Sequence, residues 1–231
     1  MKIMTFNIRH GGGSREEGIL KSVLNHDPTT IVFTEYRENK NALFLRKALF
    51  EKGYIYFSAS SVDPKMNAVA IASKEPHTTT TFPSELGDQS QRAILASFKN
   101  ISVLGVYFAQ KAEKRRLFNF INERSGDFLG KQGLVIGDFN TGKYYLDEPK
   151  NTFHCVDEFE QLETSGLIDS WRSRNPKANE FSWYSNAGNG FRIDHIFSTP
   201  ELDSMVKNIF YSHEERENGV SDHSAFIVEY S

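Results

Sequence analysis

The stretch VIGDFN, residues 135–140, ends an apolar run with an acid, an aromatic residue and an amide. Successive side chains of a strand face opposite sides, so Asp138 and Asn140 are expected to share one face while Phe139 takes the other. A turn would explain this composition, since Asp and Asn are common turn residues. An unpaired buried polar group is costly, however, so a carboxylate beside an amide at a strand end also indicates a functional site.

The same pattern recurs along the chain, where isolated polar side chains stand next to other apolar, strand-like runs. These further residues are Asn7, Glu35, Tyr107, Asp194, His195, Asp222 and His223. One such residue is readily explained as a turn or a cap. So many at the ends of separate strands are better explained by one site, provided that the strand ends converge.

Three of these residues suggest a metal site. Asn7, Glu35 and Asp222 offer only oxygen ligands, and oxygen ligands without a thiolate suit Mg²⁺ or Mn²⁺. A zinc site that uses His195 and His223 is the less favoured alternative, because the other histidines show no zinc-ligand spacing.

The remaining groups fit the hydrolysis of a phosphate ester. His223 can donate a hydrogen bond to a phosphate oxygen, and a nearby carboxylate, for which Asp194 is the candidate, would orient its ring and favour its charged form. Asp138 is the candidate base that takes a proton from an attacking water. Asn140 and Tyr107 add hydrogen-bond donors for the phosphoryl group.

Strand-like and helix-like runs alternate between these residues. Strands are predicted at 2–8, 30–35, 54–60, 67–73, 93–98, 101–108, 134–139, 192–198 and 224–230, and helices at 39–52, 112–129 and 156–165. A further helix is expected after a capping box formed by Ser14 and Glu17. The order mixes βα units with adjacent strands that can pair as hairpins, which favours an α/β protein with partly antiparallel sheets. No internal repeat or linker is visible, so one domain over 1–231 is expected.

Composition sets wide limits on the function. The chain has 231 residues and a formal net charge of -3, which neither indicates nor excludes a polyanionic partner. Cys155 is the only cysteine, which suits a reducing compartment, and we expect a cytoplasmic monomer. No apolar run approaches the ~20 residues of a membrane-spanning helix. The charged run KAEKRR, 111–116, is interpreted as a solvated helix face, with contact to a nucleic-acid backbone as the alternative.

Six motifs together resemble the endonuclease/exonuclease/phosphatase superfamily, in its order and across nearly the whole chain: TFNIR, TEYR, VYFAQ, GDFN, FRIDHIF and SDHSA. The resemblance implies a four-layer α/β sandwich, in which two mixed β-sheets pack face to face with helices outside. It places Asn7 and Glu35 at metal-binding positions and Asp222 among the remaining acids of the family. It also implies catalytic roles for Tyr107, Asp138, Asn140, Asp194 and His223.

The motifs VYFAQ and FSWYSNAGNGFRID look most like the exonuclease III and abasic-endonuclease branch of this superfamily. In that branch, aromatic residues before the RxD motif line a pocket for a flipped-out abasic sugar, and Trp183, Phe191 and Ile193 fall at the matching positions. Two residues depart from the branch. Thr34 stands where glutamine is common, and His195 replaces the aromatic residue that commonly follows the RxD aspartate.

Three functions are compatible with these residues. The first is a metal-dependent DNA nuclease, an abasic-site endonuclease or a 3′–5′ exonuclease, with a role in DNA repair. The second is a hydrolase of a small phosphoester, such as a nucleotide, an inositol phosphate or a phospholipid head group. The third is a nucleic-acid-binding module that keeps the fold without catalysis, and the complete set of reacting groups argues against it.

Overall fold

Strands and helices alternate along the chain in a computed structural model that describes residues 1–231. In chain order the strands are β1 (Lys2–Asn7), β2 (Thr30–Tyr36), β3 (Tyr56–Ala59), β4 (Ala68–Ser73), β5 (Thr78–Thr80), β6 (Ala93–Ser97), β7 (Ser102–Tyr107), β8 (Gly133–Asp138), β9 (Ile168–Asp169), β10 (Trp183–Tyr184), β11 (Gly190–Phe191), β12 (Asp194–Ser198), β13 (Val206–Ser212) and β14 (Ala225–Tyr230). The helices are α1 (Glu16–His26), α2 (Lys40–Glu51), α3 (Pro83–Leu86), α4 (Arg115–Phe128), α5 (Val156–Thr164), α6 (Pro200–Asp203) and α7 (Glu214–Glu217). None of the helices combines the length and the apolar composition that crossing a membrane requires.

Twelve of the strands form two six-stranded mixed sheets. Sheet 1 has the order β13-β14-β1-β2-β4-β3, and sheet 2 has the order β5-β6-β7-β8-β12-β9. In each sheet one central pair is parallel, β1 with β2 and β7 with β8. The remaining two strands, β10 and β11, form a separate small hairpin.

Side chains along the central strands alternate between the core that separates the two sheets and the cores that lie under the helices. In β1, Ile3 packs between the two sheets, whereas Met4 faces the core under α1 and α2. In β8, Ile136 packs between the sheets, whereas Val135 faces the core under α4 and α5. These three cores separate four layers of secondary structure, so the predicted four-layer α/β sandwich with helices outside is confirmed.

This alternation also orients the polar residues at the strand ends. Asn7 follows Ile3 at an even spacing on β1, and Asp138 follows Ile136 on β8, so both side chains lie on the inner faces of the sheets. Phe139 takes the outer side and packs with Phe108 and Phe159. The strand ends therefore deliver polar groups from both sheets to one end of the interface between them.

The predicted long strands and helices agree with the structure to within a few residues at their ends. The predicted capping box is wrong. A 3₁₀ turn at Gly13–Arg15 leads into α1, which begins at Glu16 without a side-chain cap. The chain enters this turn through glycines in the left-handed region, with φ of 78° at Gly11 and 82° at Gly12, so Ser14 is not at the helix start.

A buried ion network fixes the segment between β8 and α5 to the start of β12. Arg192 has no exposed surface, and its guanidinium donates to Asp147 at 2.6 Å and to Asp169 at 2.6 Å. Arg172 adds a second cation at 2.6 Å from Asp147, and both guanidinium groups lie near the ring of Trp171. Burial disfavours the charged form of Asp169, but Arg192 outweighs it and holds the pKa of Asp169 well below its usual range.

Substituting Arg192→Met is expected to lower the free energy of unfolding by about 3–5 kcal/mol, because two buried carboxylates lose a partner. Urea unfolding followed by circular dichroism measures this change. Arg124→Met is the matched control, since Arg124 forms an exposed ion pair with Asp127, and it should leave stability nearly unchanged. Equal effects of the two substitutions would contradict the importance of the network.

Candidate active site

A pocket of ≈ 310 Å³ opens at the end of the sandwich where the polar strand ends meet. Most of the residues predicted for the site line this pocket: Glu35, Asp138, Asn140, Trp183, Phe191, Ile193, Asp222 and His223. The others, Asn7, Tyr107 and Asp194, lie behind the lining and contact it through hydrogen bonds. The structure therefore brings these eleven residues to one place. His195 is the exception, since its ring packs against Phe139 and Phe159 on the outer side of the sheet, and the prediction that it belongs to the site is wrong.

Asn7 links the two sheets beneath the pocket. Its amide nitrogen lies 3.2 Å from Glu35 Oε1, 3.1 Å from Asp138 Oδ2 and 3.4 Å from His223 Nε2. Its Oδ1 accepts from the backbone N–H of Arg9 at 2.9 Å. The amide has two hydrogens, and two carboxylates and an imidazole nitrogen surround it. Asn7 is thus held by partners from three separate parts of the chain.

Glu35 adopts a conformation that is uncommon for a residue with a side chain. Its φ is 54°, at an irregularity in the β2–β4 pairing that lies between Phe33 and Tyr36. The irregular backbone turns the carboxylate into the pocket, where Oε2 accepts from the N–H of His10 at 3.0 Å and from Asn67 at 3.2 Å. Such backbone conformations often mark functional sites.

Asp138 and Asn140 both reach the pocket, but by different means. β8 ends at Asp138, and Asn140 has a left-handed backbone with φ of 52°. Strand alternation therefore does not extend to Asn140, and the prediction that it shares a strand face with Asp138 is wrong. Instead Asp138 Oδ1 accepts from the N–H of Asn140 at 2.9 Å, and the Asn140 amide donates to the carbonyl of Phe108 at 2.9 Å.

Asp194 and His223 form a buried pair. Asp194 stands opposite Asp138 in the antiparallel pairing of β12 with β8, and its Oδ2 lies 2.8 Å from His223 Nδ1. Burial by itself would lower the pKa of His223, but the carboxylates of Asp194 and Asp138 raise it to about 10. Burial raises the pKa of Asp138 to about 7, although the His223 charge opposes this effect. The pair thus favours a charged imidazolium that faces the pocket.

The predicted metal ligands divide into two groups. Asn7 and Glu35 are in contact, whereas Asp222 lies beside Trp183, which donates to it at 3.3 Å. Asp138, Asp194 and His223 could also hold an ion, since their ligand atoms lie within 4.8 Å of one another. The pocket thus offers the carboxylates of Glu35, Asp138 and Asp222, with that of Asp194 behind them, and such a donor set fits a hard divalent cation.

Several residues of the site have no clear signal in the sequence. Asn67 and His10 hold Glu35, and Gln110 donates to Asn140 Oδ1 at 2.5 Å. Lys114 is almost fully buried under the pocket and donates to the backbone carbonyl of Asn140, although it belongs to the run interpreted as a solvated face. Burial lowers the pKa of Lys114 to about 8. Its position four residues after the VYFAQ motif, just before α4, is the one clue that the sequence contains.

Comparison with known proteins now identifies the class. The family model described as "Endonuclease/Exonuclease/phosphatase family" matches residues 4–223, and the chain belongs to this family. The resemblance predicted from the six motifs is therefore confirmed.

Solved structures of similar fold agree with this class. The 3′–5′ exonuclease NExo from Neisseria meningitidis superposes with a TM-score of 0.85 at 23% identity, covering 100% of both chains. A variant of the 3′ phosphatase NExo from Neisseria, bound to a product DNA hairpin, gives 0.85 at 23% identity and covers 100% of this chain and 99% of that one. An AP endonuclease from Archaeoglobus fulgidus gives 0.83 at 21% identity, covering 100% of this chain and 99% of that one.

Proposed function

We propose that this protein is a divalent-metal-dependent phosphodiesterase that cleaves DNA, as a 3′–5′ exonuclease or an abasic-site endonuclease. The observation that carries the proposal is the Asp194–His223 pair, which lies directly beside Asp138 and Asn7 at a pocket that carboxylates line in part. Membership of the family supports the chemistry. The fold is shared with proteins named as an exonuclease, a 3′ phosphatase and an AP endonuclease, which supports DNA as the substrate.

Each side chain of the site has a distinct role in hydrolysis. Asp138 takes the proton from a water that attacks phosphorus, because its carboxylate forms part of the pocket wall. A bond forms between the water oxygen and phosphorus, and the bond to the leaving oxygen breaks. His223 donates to the phosphate oxygens on which negative charge grows, and Asp194 orients the ring and balances its charge. Asn140 and Tyr107 position the phosphate.

The bound ion in this proposal is Mg²⁺ or Mn²⁺. Glu35 would hold it, with Asn7 and Asp222 as further oxygen donors. A divalent ion in such a site neutralises charge on the phosphate and makes it a better electrophile. The protein's contribution is to fix the oxygens, and four hydrogen-bond donors around Glu35 serve this purpose: Asn7, His10, Asn67 and Tyr107.

Hydrolysis of a small phosphoester is the second candidate. Nothing in the side chains that react with phosphate distinguishes the two substrates, because the chemistry is the same. The aromatic residues Trp183 and Phe191 beside the site favour a substrate that contains a nucleotide over an inositol phosphate or a phospholipid head group, since they offer ring surfaces to a base. A monomeric state and a cytoplasmic location remain predictions from the sequence.

Three end-labelled duplexes test the proposal in the presence of Mg²⁺: one with a 3′-hydroxyl end, one with a 3′-phosphate end and one with an internal abasic analogue. We expect shortening from a 3′ end, loss of the 3′ phosphate, or cleavage at the abasic position on a denaturing gel. Asp138→Asn should be inactive, and it controls for a contaminating nuclease. Hydrolysis of small phosphoesters with no reaction on any of the duplexes would contradict the DNA assignment.

A further inference from the structure

The pocket beside the reacting groups has a third aromatic ring that the motifs do not indicate. Phe153 lines the pocket together with Trp183 and Phe191. The ring centroids of Phe153 and Phe191 lie 5.6 Å apart in an edge-to-face arrangement, and the ring centroid of Trp183 lies 5.7 Å from that of Phe191. The three rings come from two separate segments, the β10–β11 hairpin and the loop that follows β8, and together they enclose one side of the pocket.

Polar side chains that do not react with phosphate also line the pocket. Gln110, Thr152 and His154 line the same pocket, and all three carry hydrogen-bond donors or acceptors. A nucleobase has aromatic faces that stack on rings and polar edges that form hydrogen bonds. A bare abasic sugar has no aromatic face, so it gains only from burial of its surface.

We infer that this pocket takes the base of an unpaired nucleotide at a 3′ end, and that Phe153 determines this specificity. The inference rests on the proposed function, since it names the part of DNA that enters the pocket. It also narrows that function, because it favours a terminal nucleotide that retains its base over an internal abasic site.

Glu148 is the positioning residue for Phe153. Its side chain is almost completely buried, and Oε1 accepts from the backbone N–H of Thr152 at 2.7 Å and from that of Phe153 at 2.9 Å. Its other oxygen accepts from the hydroxyl of Thr152. The preceding residue, Asp147, is fixed by Arg192 in the ion network described above. The loop that carries Phe153 is therefore anchored at both the side chain of Glu148 and the side chain of Asp147.

Binding in the presence of a chelator tests the inference without any dependence on turnover. Two fluorescein-labelled duplexes are compared by anisotropy: one ends in an unpaired 3′ nucleotide, and the other ends in tetrahydrofuran, an abasic analogue, at the same position. The wild-type protein should bind the base-bearing end about fivefold or more tightly, in line with the stacking of one base on aromatic side chains.

Phe153→Ala and Phe153→Leu should both remove most of this preference, because leucine keeps apolar bulk but has no ring face. Tyr145→Ala is the matched control, since Tyr145 is an exposed aromatic residue of the same loop that does not line the pocket, and it should keep the preference. Equal binding of the two ends by the wild-type protein would overturn the inference. So would a preference that survives in Phe153→Ala.

Glu148 variants separate positioning from general loss of structure. Glu148→Ala should reduce the preference as Phe153→Ala does, whereas Glu148→Gln should restore it, since an amide oxygen can still accept from the two N–H groups. Equal loss of the binding preference in Glu148→Ala and Glu148→Gln, with unchanged circular dichroism, would contradict this positioning role.

Cleavage with Mg²⁺ is measured in parallel, so that failure of the proposed hydrolase function can be distinguished from failure of the base-binding inference. A retained preference without cleavage counts against the hydrolase, and cleavage without a preference counts against the pocket.

Discussion

Replacing His223 with alanine is expected to lower kcat on a DNA substrate roughly a hundred- to a thousandfold, which is the typical effect of losing one preorganised donor to the transition state. His223 Nδ1 lies 2.8 Å from Asp194, and its Nε2 lies on the side of Asp138 and Asn7. The charged ring is most useful when negative charge on the phosphate is greatest, so the loss should appear mainly in kcat and less in KM.

Asp194→Asn should also be strongly impaired, because the ring loses the carboxylate that orients it. The double variant should lose less than the product of the two single effects, since the two residues act as one unit. Steady-state kinetics of the three variants measures this coupling, with circular dichroism to show that each is folded. His77→Ala is the matched control, since His77 lies just before the edge strand β5 and does not line the pocket. Wild-type turnover by folded His223→Ala would show that the proposed site is wrong.

Removal of divalent metal is expected to abolish hydrolysis, and addition of Mg²⁺ or Mn²⁺ should restore it. Without a cation, the negative charge that grows on the phosphate during the reaction lies beside the carboxylates of Glu35, Asp138 and Asp222 with no metal to neutralise it. The measurement is DNA cleavage after extensive chelation, followed by titration with each metal.

Glu35→Gln should shift the midpoint of this titration to higher Mg²⁺ concentration, because one ligand loses its charge. The unfolding curve of the wild-type protein in chelator serves as the control, since it separates loss of chemistry from loss of structure. Full activity in a preparation verified to be free of metal would contradict the proposed mechanism.

Local pattern was sufficient to predict the parts of the site that lie on regular strands. Apolar runs predict that Asn7 and Asp138 stand at the ends of strands, and the structure shows the two side chains 3.1 Å apart. The sandwich itself followed from the resemblance of six motifs, because alternation by itself predicts strands but not how two sheets pack.

The other parts of the site could not be predicted from the sequence, because they depend on irregular backbone and on contacts between distant residues. Glu35 enters the pocket through a left-handed residue in a β-strand, and Asn140 through another just after one, which no periodic pattern predicts. Lys114 belongs to a charged run, and only the packed fold shows that it is buried. Period-two alternation does not predict strand β13, because a register shift between Val206 and Asn208 interrupts the alternation.

The hydrogen bonds of Asn7 have a consequence for how the chain folds. Its partners Asp138 and His223 lie 131 and 216 residues away in sequence, so each contact closes a very long loop. Contacts of this kind form slowly, since the entropy of loop closure is lost before the contact stabilises the chain. Helices and hairpins are local and can form before the two sheets dock. Activity should therefore return last during refolding, and a chain that stalls before docking has the secondary structure of the protein but no assembled pocket.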